Sequence, residues 1–177
     1  MEGDETRRNV NIAQKYYNAT TGQWVEATYC CKYTNPVTTN FDGESDWPII
    51  RVGDIALLYA ELLNETAGPS TEALKYVNMI RERAGIAPYA LEQVGNKYDF
   101  RMAVRNERRL ELAFENQRWF DLKRWDVVTE TINEYLSSES FYAGYTYRVN
   151  PISNWQTYLL SCSVTNINPD VAQNAGY

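Results

Sequence analysis

The sequence predicts a mainly α-helical fold, a helical hairpin plus further long helices, tied together by irregular loops and short β-hairpins. Three observations predict it. Ile55, Leu58, Tyr59, Leu62 and Leu63 recur at helical spacing. The run from Tyr98 to Asp126 holds no Pro or Gly, and its Phe100, Ala103, Val104, Leu110 and Phe114 form one apolar stripe. Alternation of polar with aromatic or β-branched residues is confined to the flanks, at Thr20–Tyr33 and Phe141–Tyr147. With 177 residues, 44% of them hydrophobic, the chain is one domain or part of one and can bury a real core.

In order, Asn9–Tyr17 is expected as a short helix and Thr20–Tyr33 as extended chain. Thr34–Asp46, rich in Thr, Asn, Asp, Gly and Pro, reads as a loop. A helix follows over Gly53–Glu65, with Asp54 in its first turn to suit the helix dipole. Thr66–Pro69 is the turn, and Ser70 or Thr71 caps the next helix, whose inner face is Ala73, Tyr76, Val77 and Ile80. Gly85 ends it in a left-handed conformation, with Ile86 folding back on Ile80. Residues 86–97 connect to the long helix, which Asn116 breaks because Asn tolerates a left-handed backbone. Trp119, Phe120, Leu122 and Trp125 anchor a second helix, and Val127–Leu136 makes a last one. Beyond Ser137 no helical period is visible; Phe141–Tyr147 reads as a short hairpin and the tail as coil.

Glu107 and Glu111 fall inside the apolar stripe of the long helix. Carboxylates on a core-facing stripe are expensive unless cations reach them. Arg105, Arg108, Arg109 and Arg118 lie nearby in sequence, and Arg81 and Arg83 one helix earlier. The expectation is structural ion pairing that involves Glu107, Glu111, Arg105, Arg108 and Arg118. Glycoside hydrolysis instead needs two carboxylates facing a sugar from opposite sides, and Glu107, Glu111 and Glu115 share one helical face among several Arg. A phosphate- or nucleic-acid-binding stripe of Arg101, Arg105, Arg108 and Arg109 is countered by the interleaved Glu and by a net charge of −6.

The chain has no His, which removes Ser-His-Asp and Cys-His catalysis and argues against zinc. No catalytic residue, metal ligand or cofactor is assigned. Cys30, Cys31 and Cys162 are odd in number, two of them adjacent, and imply no disulfide framework. No apolar run reaches the length of a membrane span, and MEGDETRRN is too polar for a signal peptide.

The two-helix unit over Val52–Gly85 has the length of a tetratricopeptide repeat, with small Ala60 and Ala73 where the helices must approach closely. Taken in order, WPIIRVGDIALLYAELLNE, ALKYVNMIRERAGI, VRNERRLELAFENQRWFDLKRW and NPDVAQNAGY resemble the C-terminal half of the SusD/RagB family of nutrient-binding outer-membrane lipoproteins of Bacteroidetes. The likeness is strong over Trp47–Trp125 and good over Asn168–Tyr177. Asn116 stands where the family usually has Gly, and Leu159–Ser163 replaces a Leu-Pro-Ile-Pro-like segment. Family members are several-fold longer and begin with a lipidated Cys, so Met1 looks like an internal start. The resemblance implies one SusD-like C-terminal domain: a connecting region over 1–47, a helical core over 48–136 and a loop-rich tail over 137–177. It further implies a non-enzymatic, surface-exposed component of the outer membrane that binds an oligosaccharide and works with a SusC-like TonB-dependent transporter, with no nucleic-acid partner. A tetratricopeptide-like protein–protein adaptor is the alternative.

Flat rings stack on the apolar face of a pyranose while neighbouring amides and carboxylates bond its hydroxyls. Trp24, Tyr29, Tyr33, Tyr145 and Tyr147 are therefore the candidate carbohydrate-binding residues. The plainer reading is that such rings cover helix ends in the core.

Overall fold

The computed structural model describes residues 4–33, 48–138, the strand residues 141–142 and 145–146, and residue 172. The chain forms two compact units, Met1–Asn116 and Gln117–Tyr177.

The first unit opens with helix α1, Glu5–Asn11, capped by the Asp4 carboxylate, which accepts from the Arg7 backbone N–H at 3.0 Å. Without a linker the chain becomes strand β1, Ile12–Asn18, antiparallel to β2, Gln23–Cys30. The helix expected over Asn9–Tyr17 is therefore a strand for most of its length. Asp4 starts the helix earlier, and Ile12, Tyr16 and Tyr17 meet β-prone partners across the hairpin. Asn18 Oδ1 accepts from the N–H groups of Thr20 and Thr21, and Gly22 turns at φ 68°.

Helices α2 (Val52–Ala67) and α3 (Thr71–Arg83) form the hairpin read from the sequence. Ser70 caps α3 by accepting from Ala73 N–H. Gly85 at φ 71° closes it in a Schellman arrangement: Ile86 N–H bonds Arg81 C=O and Gly85 N–H bonds Glu82 C=O. The buried side of α2 is not the bulky stripe. Gly53, Ala56, Leu57, Ala60 and Asn64 face inward, whereas Ile55, Tyr59 and Leu62 are exposed. Small residues let α3 and the long helix approach the α2 backbone closely; Ala60 and Ala73 are both fully buried. The core is completed by Val77, Ile80, Phe100 and Val104.

A 3₁₀ turn at Leu91–Val94 leads to α4, Lys97–Glu111, capped by Asn96. Phe100, Val104 and Leu110 are buried on its stripe as read. The helix stops sooner than Asn116, and Phe114 lies outside it at φ 66° and 45% exposed. The reason is competition for carbonyls. Arg51 and Lys32 donate to Glu111 C=O, Lys32 also donates to Ala113 C=O, and Glu115 N–H turns back to Leu112 C=O. Asn116 itself is left-handed at φ 61°.

The second unit carries α5 (Arg118–Arg124), α6 (Val128–Ser138) and a hairpin of β3 (Phe141–Tyr142) with β4 (Tyr145–Thr146). Leu122 and Val128 are buried and Trp119 and Trp125 half-buried, but Phe120 is 60% exposed and is no core anchor. Residue Tyr147, the loop over 34–47 with Trp47, and the NPDVAQNAGY tail apart from Ala172 lie outside the described residues.

Candidate functional site

Two features of the first unit concern function: a set of buried ion pairs around the end of α4, and the exposed face of the β1–β2 hairpin. Glu107 is fully buried. Its Oε1 accepts from Arg7 Nη2 and its Oε2 from Arg81 Nη1 at 3.1 Å. Glu111, 3% exposed, accepts from Arg51 Nη1 and from Arg83 Nη2 at 2.6 and 2.7 Å, and Arg7 Nε stands 3.3 Å from its Oε2. Glu115 takes Lys32 Nζ and a fork from Arg51, whose Nε and Nη2 approach at 2.8 and 2.7 Å.

The guanidinium groups of Arg7, Arg51, Arg81 and Arg83 thus reach Glu107 and Glu111. Of the near-sequence candidates, Arg108 turns to α2. Arg108 is buried and pairs with Asp54 of α2 at 2.8 Å, Arg118 lies 5.7 Å from the centre of the Trp125 ring, and Arg105 is half-buried on α4. Arg7 and Arg51 were missed because both sit far from α4 in sequence. The usable signal was the count of buried carboxylates, which required more cations than α3 supplies.

Electrostatics follow the geometry. Burial pushes the Glu115 carboxyl up, but hydrogen bonds from Arg51 and Lys32 outweigh it and leave it below the ordinary range. Burial pulls the Arg51 guanidinium down, and its bonds to Glu115 and Glu111 more than reverse this. The Tyr33 hydroxyl is raised by burial and then by the charge and hydrogen bond of Glu115. Each of these carboxylates is thus tied to cations of the protein itself.

The hairpin is different. Across it Tyr17 pairs with Trp24, and Lys15 with Glu26. A bulge between Ala13 and Lys15 then brings Tyr29 opposite Ala13. Cross-strand partners share a face, so the bulge places Tyr29 on the side that carries Tyr17 and Trp24. Trp24 is 62% exposed; Tyr17 meets it edge-on with ring centres 5.6 Å apart. The Lys15 ammonium lies 5.1 Å from the Trp24 ring centre, and the Tyr29 hydroxyl donates to Lys15 C=O at 3.4 Å. Two of the candidate rings, Trp24 and Tyr29, are thereby brought together with Tyr17, which the sequence reading left out because it assigned that residue to a helix. Tyr33 is placed apart, at φ 62° beside Glu115 with Lys32 5.6 Å from its ring centre. Tyr145 is on strand β4, in the other unit, and Tyr147 lies outside the described residues.

Among the described residues no group of His, Cys, Asp and Glu is arranged to hold a metal ion, and no helix is long and apolar enough to cross a membrane.

Comparison with known proteins gives consistent results. A sequence model of the SusD family matches residues 2–177. SusD-like protein P25 of Formosa agariphila is 32% identical over 135 residues, 74% of this chain and 25% of that protein. SusD-like protein P2 of the same organism is 39% identical over 86 residues, 46% of this chain and 17% of that protein. The chain therefore spans about a quarter or less of the curated relatives it matches. Among solved structures, a SusD homolog from Bacteroides thetaiotaomicron superposes with a TM-score of 0.72 at 23% identity, over 99% of this chain and 42% of that one, a likeness of fold. A laminarin-binding SusD-like protein superposes with a TM-score of 0.59 at 27% identity, over 99% of this chain and 36% of that one.

Proposed function

This chain belongs to the SusD family, and on that premise we propose that it binds oligosaccharide without transforming it, on the exposed aromatic face of the β1–β2 hairpin. The observation that carries the reading is Trp24, 62% exposed and flanked on one face by Tyr17, Tyr29 and Lys15. An indole so placed presents an apolar plane to a pyranose, and Lys15 and Glu26 offer a donor and an acceptor for its hydroxyls. The fully paired state of Glu107, Glu111 and Glu115 supports binding over hydrolysis, because no carboxylate of that set is left to act on a glycosidic bond. The ion-pair set acts as the brace: Arg7 on α1 and Lys32 after β2 fix both ends of the hairpin to α4. Tyr33, Tyr145 and Tyr147 remain secondary candidates. In the cell the protein works at the outer-membrane surface with a SusC-like TonB-dependent transporter.

Titration calorimetry of the chain against a panel of neutral glycans that includes laminari-oligosaccharides tests this. Trp24→Ala should weaken binding at least tenfold, about 1.4 kcal/mol, with an unchanged melting temperature. Unaltered affinity would remove the hairpin from the site.

A second reading, a tetratricopeptide-like adaptor for protein partners, draws on one observation. Ile50, Val52, Ile55, Tyr59, Tyr76 and Met79 line an open apolar groove of about 630 Å³ along α2 and α3. Recovery of a peptide ligand displaced by Ile55→Lys would favour it.

A further inference from the structure

A second cavity, of about 510 Å³, opens beside the ion-pair set, between α1, the end of β2 and the start of α2. That volume falls in the range of small-ligand pockets. Its wall is unequal in charge. Among the described residues Arg7, Lys32, Arg51 and Arg83 line it, against the single carboxylate of Glu111. The remaining acidic partners, Asp4, Glu107 and Glu115, do not line it; each is buried and bound to one or more of these cations. Among the described residues, the five cations Arg7, Lys32, Arg51, Arg81 and Arg83 meet the four carboxylates Asp4, Glu107, Glu111 and Glu115, which leaves one positive charge in excess in that set. In a chain of net charge −6 this is a local reversal of sign.

The cation with capacity to spare is Arg83. Lys32 spends its ammonium on two carbonyls and Glu115, and Arg51 commits all three of its guanidinium nitrogens. Arg83 engages Glu111 through Nη2 alone, and its side chain is 61% exposed. Its Nε and Nη1 are left, and either can donate a charge-assisted hydrogen bond to the carboxylate of a second anion. The Asn11 amide, the Thr6 hydroxyl and the Tyr33 ring line the same cavity and match the hydroxyls and apolar face of a sugar.

We propose that this cavity is a subsite for a carboxylate-bearing sugar, a uronic acid unit, whose carboxylate pairs with Arg83. It is separate from the hairpin face and does not depend on it. The probes are methyl glucuronide, methyl glucoside and acetate, titrated into the whole chain by calorimetry. Methyl glucuronide should bind at least tenfold more tightly than either of the others, and more weakly as salt rises. Arg83→Met should remove that preference and Arg83→Lys should restore part of it, with circular dichroism confirming that both variants are folded at the titration temperature. Trp24→Ala should leave glucuronide binding unchanged while it weakens the neutral glycans. Equal binding of glucuronide and glucoside would overturn the proposal. So would acetate binding as tightly as glucuronide, which would mean an anion site without sugar recognition. A full preference retained in Arg83→Met would exclude Arg83.

Discussion

Glu107 is a fully buried charge met by the guanidinium groups of Arg7 and Arg81. Removal of one member of a buried pair leaves the others uncompensated in a medium that solvates them poorly. Glu107→Ala should therefore lower stability by about 3–5 kcal/mol, read as a shift of the denaturant midpoint; a loss under about 1 kcal/mol would show the pair to be well hydrated. Gly53 is constrained by the same set. A Cβ built there would lie 2.8 Å from Arg51 Nη1 and 3.2 Å from Glu111 Oε1, so the missing side chain is what lets Arg51 cross the start of α2. Gly53→Ala should destabilise the chain even though Ala is the better helix former, and a raised melting temperature would refute this. Asn116 gives the opposite sign. At φ 61° and exposed, it holds a left-handed backbone that costs a non-Gly residue about 1 kcal/mol. Asn116→Gly should be neutral or slightly stabilising by the same thermal melt.

At the level of elements, polar links add to the apolar core in holding the β1–β2 hairpin and both ends of α4. Glu65 at the end of α2 accepts from Arg101 Nε and Nη2 at 2.7 and 2.6 Å, and Lys97 donates to Glu65 C=O. The Arg101 bonds hold the Glu65 carboxyl down at about 2, against 4.5 for the free group, with burial opposing them. At the other end of α4, Glu115 is also depressed. A group whose folded pKa is lowered contributes stability that is complete above its unfolded value and is lost as pH falls through its folded value. Unfolding followed by circular dichroism should therefore be insensitive to these two groups above pH 4.5, with stability falling progressively from there toward pH 2. Arg101→Met should flatten part of that decline; an unchanged profile would show that Glu65 does not contribute.

At the largest scale, the first unit carries an exposed apolar face. Ile49, Ile50, Val52, Ile55, Leu62 and Met79 are each more than 40% exposed along and before the α2–α3 hairpin. A patch of that kind favours association. Sedimentation of the isolated chain should show concentration-dependent self-association, and Ile55→Lys with Leu62→Lys should suppress it without loss of helicity. A monodisperse parent at high concentration would show the patch to be tolerated.

Local chemistry made much of the fold legible. Ser70 and Gly85 marked the ends of α3, Asn116 marked a left-handed break, and the Phe100–Val104–Leu110 stripe located the buried face of α4. These features depend on neighbours within a turn or two, which the sequence displays directly. Three matters were decided only by tertiary structure. Helix α2 has two apolar faces, and the small one won because close backbone approach to α3 and α4 demands it. Tyr17 joined Trp24 because the pairing of β1 with β2 and its bulge set the side on which each ring points. Beside Arg81 and Arg83, Glu107 and Glu111 gained Arg7 and Arg51 as partners, residues brought to α4 by the folded chain. Sequence order shows that a buried carboxylate needs a cation; only the path of the chain through space selects which cation arrives.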